Sequence, residues 1–215
     1  MRLRNKNWTK DFIKENEKHL LNKEEKVNLF KCFKNENNCF LEIGCGKGQF
    51  IIDNATKNLN NNYIAMEKES TVIGVALKKA LERNKELHNL KFLNTYAEKL
   101  KDLFNKKTFE KIFLNFSDPW PKSKHYKKRL TYKSFLNIYY ELLKDNGRLE
   151  IKTDNDKLYL FTLEQIDLNM WKIIYNTTDL YKDLKELETN IPTEYEQKFH
   201  SLGKNINKII LKKIS

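Results

Sequence analysis

The chain has 215 residues and carries 41 Lys and Arg against 29 Asp and Glu, a formal net charge of +12. A hydrophobic fraction of 40%, with 12% aromatic residues, argues against intrinsic disorder. No apolar stretch approaches the roughly 18 residues of a membrane span. The length suits one domain over 1–215, with 1–35 as an N-terminal helical extension. Only five basic residues are arginine (2, 4, 83, 129 and 148), Asn is abundant and Ala scarce. The charge therefore reads either as codon bias or as the mark of a polyanionic partner. Cys32, Cys39 and Cys45 are odd in number and lack C-x-x-C spacing, which fits a reducing compartment. The basic start has no apolar signal segment behind it, so a cytoplasmic protein is expected.

In chain order, residues 9–33 predict one or two amphipathic helices, with Phe12, Ile13, Leu20, Leu21, Val27, Leu29, Phe30 and Phe33 as the apolar set. Strands are expected at 39–43, 63–67, 90–95, 111–116, 148–153, 170–176 and 206–213. Helices are expected near 48–58, 70–87, 97–104, 131–143 and 155–168, with Asp145-Asn146-Gly147 ending the fourth. This alternation implies an α/β, doubly wound, mostly parallel sheet of seven strands with helices on both faces. In such sheets ligands bind beyond the carboxyl ends of the strands.

Average usage of about 7% Gly and 5% Pro would give roughly 25 such residues, yet the chain has six glycines and three prolines. They gather at three places. Gly44, Gly46 and Gly48 follow the first strand, Pro119 and Pro121 flank Trp120, and Pro192 precedes Thr193-Glu194-Tyr195-Glu196. The glycine loop does not fit the dinucleotide pattern G-x-G-x-x-G, because position 49 is Gln, and Gly48-Gln49-Phe50 is not a P-loop. Glu42 repels phosphates and suits a cationic ligand, and Glu67 can accept two ribose hydroxyls. Together they point to S-adenosylmethionine. The bland readings are an ordinary turn and a solvated strand-end acid.

Asn115 to Lys122 reads N-F-S-D-P-W-P-K, in which two prolines hold an aromatic face beside the Asp118 carboxylate. Residues 122–129 place five Lys or Arg and two aromatic rings in eight positions. That composition suits phosphate contact with stacking, although a solvated basic loop has the same one. His125 has no partner at metal-ligand spacing.

These motifs resemble the bacterial tRNA (guanine-N7-)-methyltransferases, within the seven-stranded Rossmann-like methyltransferases. The matching stretches are 1–8, 42–50, 62–67, 114–122, 124–132, 152–155 and 193–199 with Gly203. The resemblance implies a single methyltransferase domain that moves the methyl group of S-adenosylmethionine to N7 of guanosine 46 in the tRNA variable loop. It implies cofactor contacts at Glu42, Gly44, Gly46, Glu67 and Asp118, with Asp118 also catalytic. Substrate contacts are implied at Lys122, Asp154, Thr193, Glu194, Tyr195 and Glu196. RNA contacts are implied at Lys124, His125, Tyr126, Lys127, Lys128 and Arg129. The expected partner is tRNA, with no membrane and no metal, as monomer or homodimer. Where the family has Asp-Ala after the third strand, this chain has Tyr96-Ala97, which leaves Tyr96, or Asn94 nearby, to meet the adenine. Two rival readings are a methyltransferase acting on an exocyclic amine, disfavoured because Trp120 separates the prolines, and a non-catalytic RNA-binding relative.

Overall fold

A computed structural model of the chain describes residues 6–84 and 87–214, in two compact units divided between Asn105 and Lys106. Residues 1–5 of the N-terminal matching stretch lie outside the described residues.

The first unit opens with helix α1 (Trp8–Glu15), a 3₁₀ turn at Glu17–His19 and a short helix α2 (Leu29–Phe33). The apolar spacing over 9–33 predicts more helix than this. Leu20 instead forms a parallel bridge with Phe92, and the Leu21 N–H donates to the Phe92 carbonyl at 2.8 Å. Strand β1 (Cys39–Ile43) leads through the glycine loop to α3 (Gln49–Lys57), then β2 (Asn62–Met66), α4 (Ser70–Arg83) and β3 (Leu90–Leu93). The expected helix over 70–87 ends at Arg83, and residues 85–86 of that range lie outside the described residues. A 3₁₀ turn at Ala97–Lys99 then runs into α5 (Leu100–Leu103). β2 pairs in parallel with both β1 and β3. Ile51, Ile52 and Ala55 of α3 and Ile73, Ala76, Leu77 and Ala80 of α4 bury their side chains with Tyr63, Ala65 and Phe92 of the strands. Burial of each Ile or Leu contributes about 1.5–3 kcal/mol. A Cβ on Gly74 would stand 2.8 Å from the Thr9 Cβ, so the bare glycine is what lets α1 seat against α4.

The second unit contains β4 (Phe109–Asn115), a 3₁₀ turn at Ser123–Lys128, α6 (Lys133–Leu142), β5 (Leu143–Thr153) and α7 (Asp156–Gln165). It continues with β6 (Trp171–Thr177), a 3₁₀ turn at Leu180–Lys182, α8 (Leu184–Thr189), α9 (Glu194–Ser201) and β7 (Asn207–Lys213). Asp145-Asn146-Gly147 does not end α6, which stops at Leu142. The tripeptide lies inside β5 as a bulge, with Asn146 left-handed and the pairing with β4 shifting between Phe109 and Lys111. β4 and β5 are parallel, and β7 runs antiparallel to both β5 and β6. The seven strands follow the order β3-β2-β1-β4-β5-β7-β6, so the mostly parallel expectation holds with β7 as the reversed strand.

Candidate active site

The glycine loop is shaped by the end of β2. The N–H groups of Gly44 and Cys45 both donate to the Met66 carbonyl, at 2.8 and 2.9 Å. Gly44 and Gly46 take φ of 74° and 56°, and nothing stands within 4 Å of a Cβ built on either. Bare, open backbone is what a ligand needs to approach closely. Gly48 is different, because a Cβ there would meet the Ala76 Cβ at 3.0 Å, so it serves the packing of α3 on α4. Two carboxylates flank the loop. Burial pushes the Cys45 thiol pKa well up, and the negative charges of Glu42 and then Glu67 push it further. Glu67 accepts from the Gly46 N–H at 3.2 Å and the Glu69 N–H at 3.1 Å, one bond on each oxygen. A carboxylate offers about four lone-pair sites, so acceptor capacity for two hydroxyls remains. Tyr96 is 61% exposed. The Asn94 amide nitrogen donates to the carbonyls of Glu67 (2.8 Å) and Lys68 (3.0 Å), tying together the loops after β2 and β3.

In the second unit, Asp118 is exposed in the loop after β4, between two non-glycine residues in left-handed conformation, Phe116 (φ 53°) and Trp120 (φ 42°). Each such residue costs of order 1–3 kcal/mol and is kept where the surroundings over-determine it, commonly at functional sites. The Phe116 N–H donates to the Lys152 carbonyl at 2.8 Å. The Phe116 ring lies 4.9 Å from that of Tyr195, which stacks on Phe199 at 4.1 Å. Burial raises the Tyr195 hydroxyl pKa, and the charge of Asp154, to which the hydroxyl donates, raises it further. Asp154 and Tyr195 are thus brought together, with the Asp118 loop packed on the same ring.

Thr193 and Glu196 are committed to structure. They form a capping box at the start of α9, in which the Thr193 hydroxyl accepts from the Glu196 N–H at 2.9 Å. The Glu196 side chain is 0% exposed and accepts from the Lys152 ammonium, itself 4% exposed, at 2.5 Å. It also accepts from Asn190 (2.7 Å) and Tyr181 (3.3 Å). Glu194 and Tyr195, by contrast, are exposed.

The basic run divides in the same way. Arg129 donates to the carbonyls of Pro119 (2.9 Å) and Trp120 (3.2 Å) and lies over the Phe161 ring, so it braces the proline loop. Lys128 sits 4.9 Å above the Trp120 ring, and His125 meets that ring edge-on at 5.6 Å. Lys122, Lys124, Tyr126 and Lys127 are exposed. Among the described residues no three His, Cys, Asp or Glu side chains gather as a metal site, and no helix is long and apolar enough to cross a membrane.

A protein-family profile described as "Putative methyltransferase" matches residues 36–209. The tRNA (guanine-N(7)-)-methyltransferase of Mesoplasma florum is 56% identical, with 99% of each chain covered. That of Mycoplasma mycoides subsp. mycoides SC is also 56% identical, over the whole of both chains. The chain belongs to the tRNA (guanine-N(7)-)-methyltransferase family. Its fold is shared with the crystal structure of the 16S rRNA methyltransferase KamB, at a TM-score of 0.64 and 14% identity, covering 89% of this chain and 95% of that one.

For a member of this family, sequence reasoning missed Lys152 as the buried counter-charge and Asn190 and Tyr181 as its neighbours. α9 was nevertheless open to detection, because Thr193-x-x-Glu196 is the capping-box pattern. Lys152 gave no such sign, since an isolated lysine in a strand usually faces water.

Proposed function

We propose that the chain transfers a methyl group from S-adenosylmethionine to N7 of guanosine 46 in the tRNA variable loop, working in the cytoplasm as a single methyltransferase domain. The observation that carries this reading is the open backbone at Gly44 and Gly46 flanked by the carboxylates of Glu42 and Glu67, in a chain of this family. An open turn between two acids fits a cationic amino-acid end and a ribose, and it does not fit a pyrophosphate. When bound, the cofactor supplies an electrophilic methyl group whose departure moves positive charge onto the purine.

Guanine N7 carries a free lone pair and no proton, so the residues need to align and stabilise rather than remove a proton. Alignment of this kind is worth roughly 7–11 kcal/mol. Asp118, on its strained loop, is the carboxylate assigned to offset the developing charge and to contact the cofactor. Asp154, held by the Tyr195 hydroxyl, keeps acceptor capacity for the donor edge of guanine. Glu194 and Tyr195 add substrate contacts, while Thr193 and Glu196 position them through the start of α9. Lys122, Lys124 and Lys127 reach RNA phosphates, with Tyr126 available for stacking. His125 and Lys128 act beside Trp120, and Arg129 sets the loop that carries Asp118. Tyr96 offers an exposed ring to the adenine. The reading is tested by labelled methyl transfer to unmodified tRNA, followed by borohydride and aniline cleavage. Scission in the variable loop is expected, and labelled RNA without scission would point to a different acceptor atom.

A further inference from the structure

The proposed reaction leaves one concave, charged feature of the first unit unused. The turn at Glu17–His19, the end of α2 and the start of β3 enclose a cavity of about 640 Å³, at the opposite end of the parallel strands from the glycine loop. Its walls include Lys18, His19, Cys32, Lys34, His88 and Lys91, and no carboxylate among the described residues lines it. The cations are close neighbours. The Lys91 ammonium donates to the Lys18 carbonyl at 2.8 Å. Burial lowers the His19 pKa, and the charges of Lys91, Lys18 and His88 lower it further. The charges of Lys91 and Lys34 both reach Cys32.

Gathering like charges in a recess is unfavourable unless a counter-charge enters, and a cleft lined by one sign of charge concentrates ions of the other. None of the ion pairs formed among the described residues involves Lys18, Lys34 or Lys91. We propose that this cavity binds a phosphate group through Lys18, Lys34 and Lys91, with His19 and His88 as further donors. A free phosphate compound and an RNA backbone phosphate supply the same chemistry, and both lie outside the methyl-transfer site.

Cys32 is the reporter, because Cys39 and Cys45 are buried while Cys32 is partly exposed. Its reaction with a neutral maleimide is followed by mass spectrometry on the full chain, at ionic strength held constant with potassium chloride, as pyrophosphate or unmodified tRNA is added. Saturable slowing of at least about threefold is expected. Slowing by pyrophosphate assigns a free compound as a ligand, and slowing by tRNA alone assigns a backbone phosphate. In the double variant Lys18→Gln/Lys34→Asn the slowing should vanish; Asn is chosen because residue 34 is left-handed, with φ 60°. No slowing by either anion in the unaltered chain overturns the proposal, as does undiminished slowing in the double variant. The titration of the unaltered chain decides the matter if the variant does not fold. A labelling rate does not depend on methyl transfer, so this test can fail or succeed independently of the proposed reaction.

Discussion

In the first unit, the carboxylates of Glu42 and Glu67 border backbone that no side chain covers, whereas in the second the carboxylate of Glu196 is surrounded by Lys152, Asn190 and Tyr181. Both places are acidic, and both were read from sequence as ligand-binding. The difference lies in what the charge meets. Around the glycine loop the backbone at Gly44 and Gly46 stays open, and Glu67 spends its bonds on the loops themselves, accepting from the Gly46 and Glu69 N–H groups. At the start of α9 the acid is consumed by the fold, and what it delivers is the position of Tyr195. One family resemblance thus spans acids beside open backbone and an acid paired inside the fold.

The contrast breaks most visibly at the buried pair. Glu196→Ala leaves the Lys152 ammonium buried without its counter-charge and should lower stability by about 3–5 kcal/mol, measured by urea unfolding. A loss below 1 kcal/mol would show that the charge pair does not hold α9. Next comes Asp118→Asn, which keeps the loop but removes the charge. Single-turnover methyl transfer with saturating cofactor should fall about 10²–10³-fold with unfolding unchanged, and a wild-type rate would remove Asp118 from the chemistry. Gly46→Ala comes third. The left-handed backbone costs a side chain about 1–2 kcal/mol of folding stability, and cofactor affinity measured by calorimetry should drop as well if the open backbone faces the ligand, whereas an unchanged affinity would place the ligand elsewhere.

Smaller effects separate the two kinds of basic residue. Lys127→Ala should reduce the slope of log tRNA affinity against log salt by about 1. Arg129→Ala, which unties the proline loop, should slow methyl transfer while leaving that slope unchanged. The smallest effect is at alkaline pH. Burial, and then the charge of Glu196, push the Tyr181 hydroxyl up to about 12 from the usual 10. Because the folded value is the higher one, this stability is complete below pH 10 and fades as pH rises toward 12. Tyr181→Phe should flatten that decline in unfolding experiments.

What was legible in the sequence was local. The strand–helix alternation, the glycine loop and the proline loop each lie within a few consecutive residues, and the structure reproduces them. What escaped depends on residues distant in the chain. Glu196 finds Lys152 at a separation of 44 positions, and Gly74 acquires its purpose only when Thr9 arrives. Arg129 is equally charged whether it meets phosphate or the carbonyls of Pro119 and Trp120, so composition could not distinguish a contact from a brace. The bulge at Asp145-Asn146-Gly147 reads as a helix stop because the same residue types serve both purposes.

The isolated bridge between Leu20 and Phe92 has a consequence for association between chains. β3 is the first strand of the sheet order, and its outer side would present unpaired N–H and C=O groups to other chains. By lying along that side, with the Leu21 N–H on the Phe92 carbonyl, the N-terminal segment acts as a guard against strand-to-strand association. Shortening the chain past Leu21 would uncover the rim of β3 and should raise self-association, measured by light scattering against the full chain.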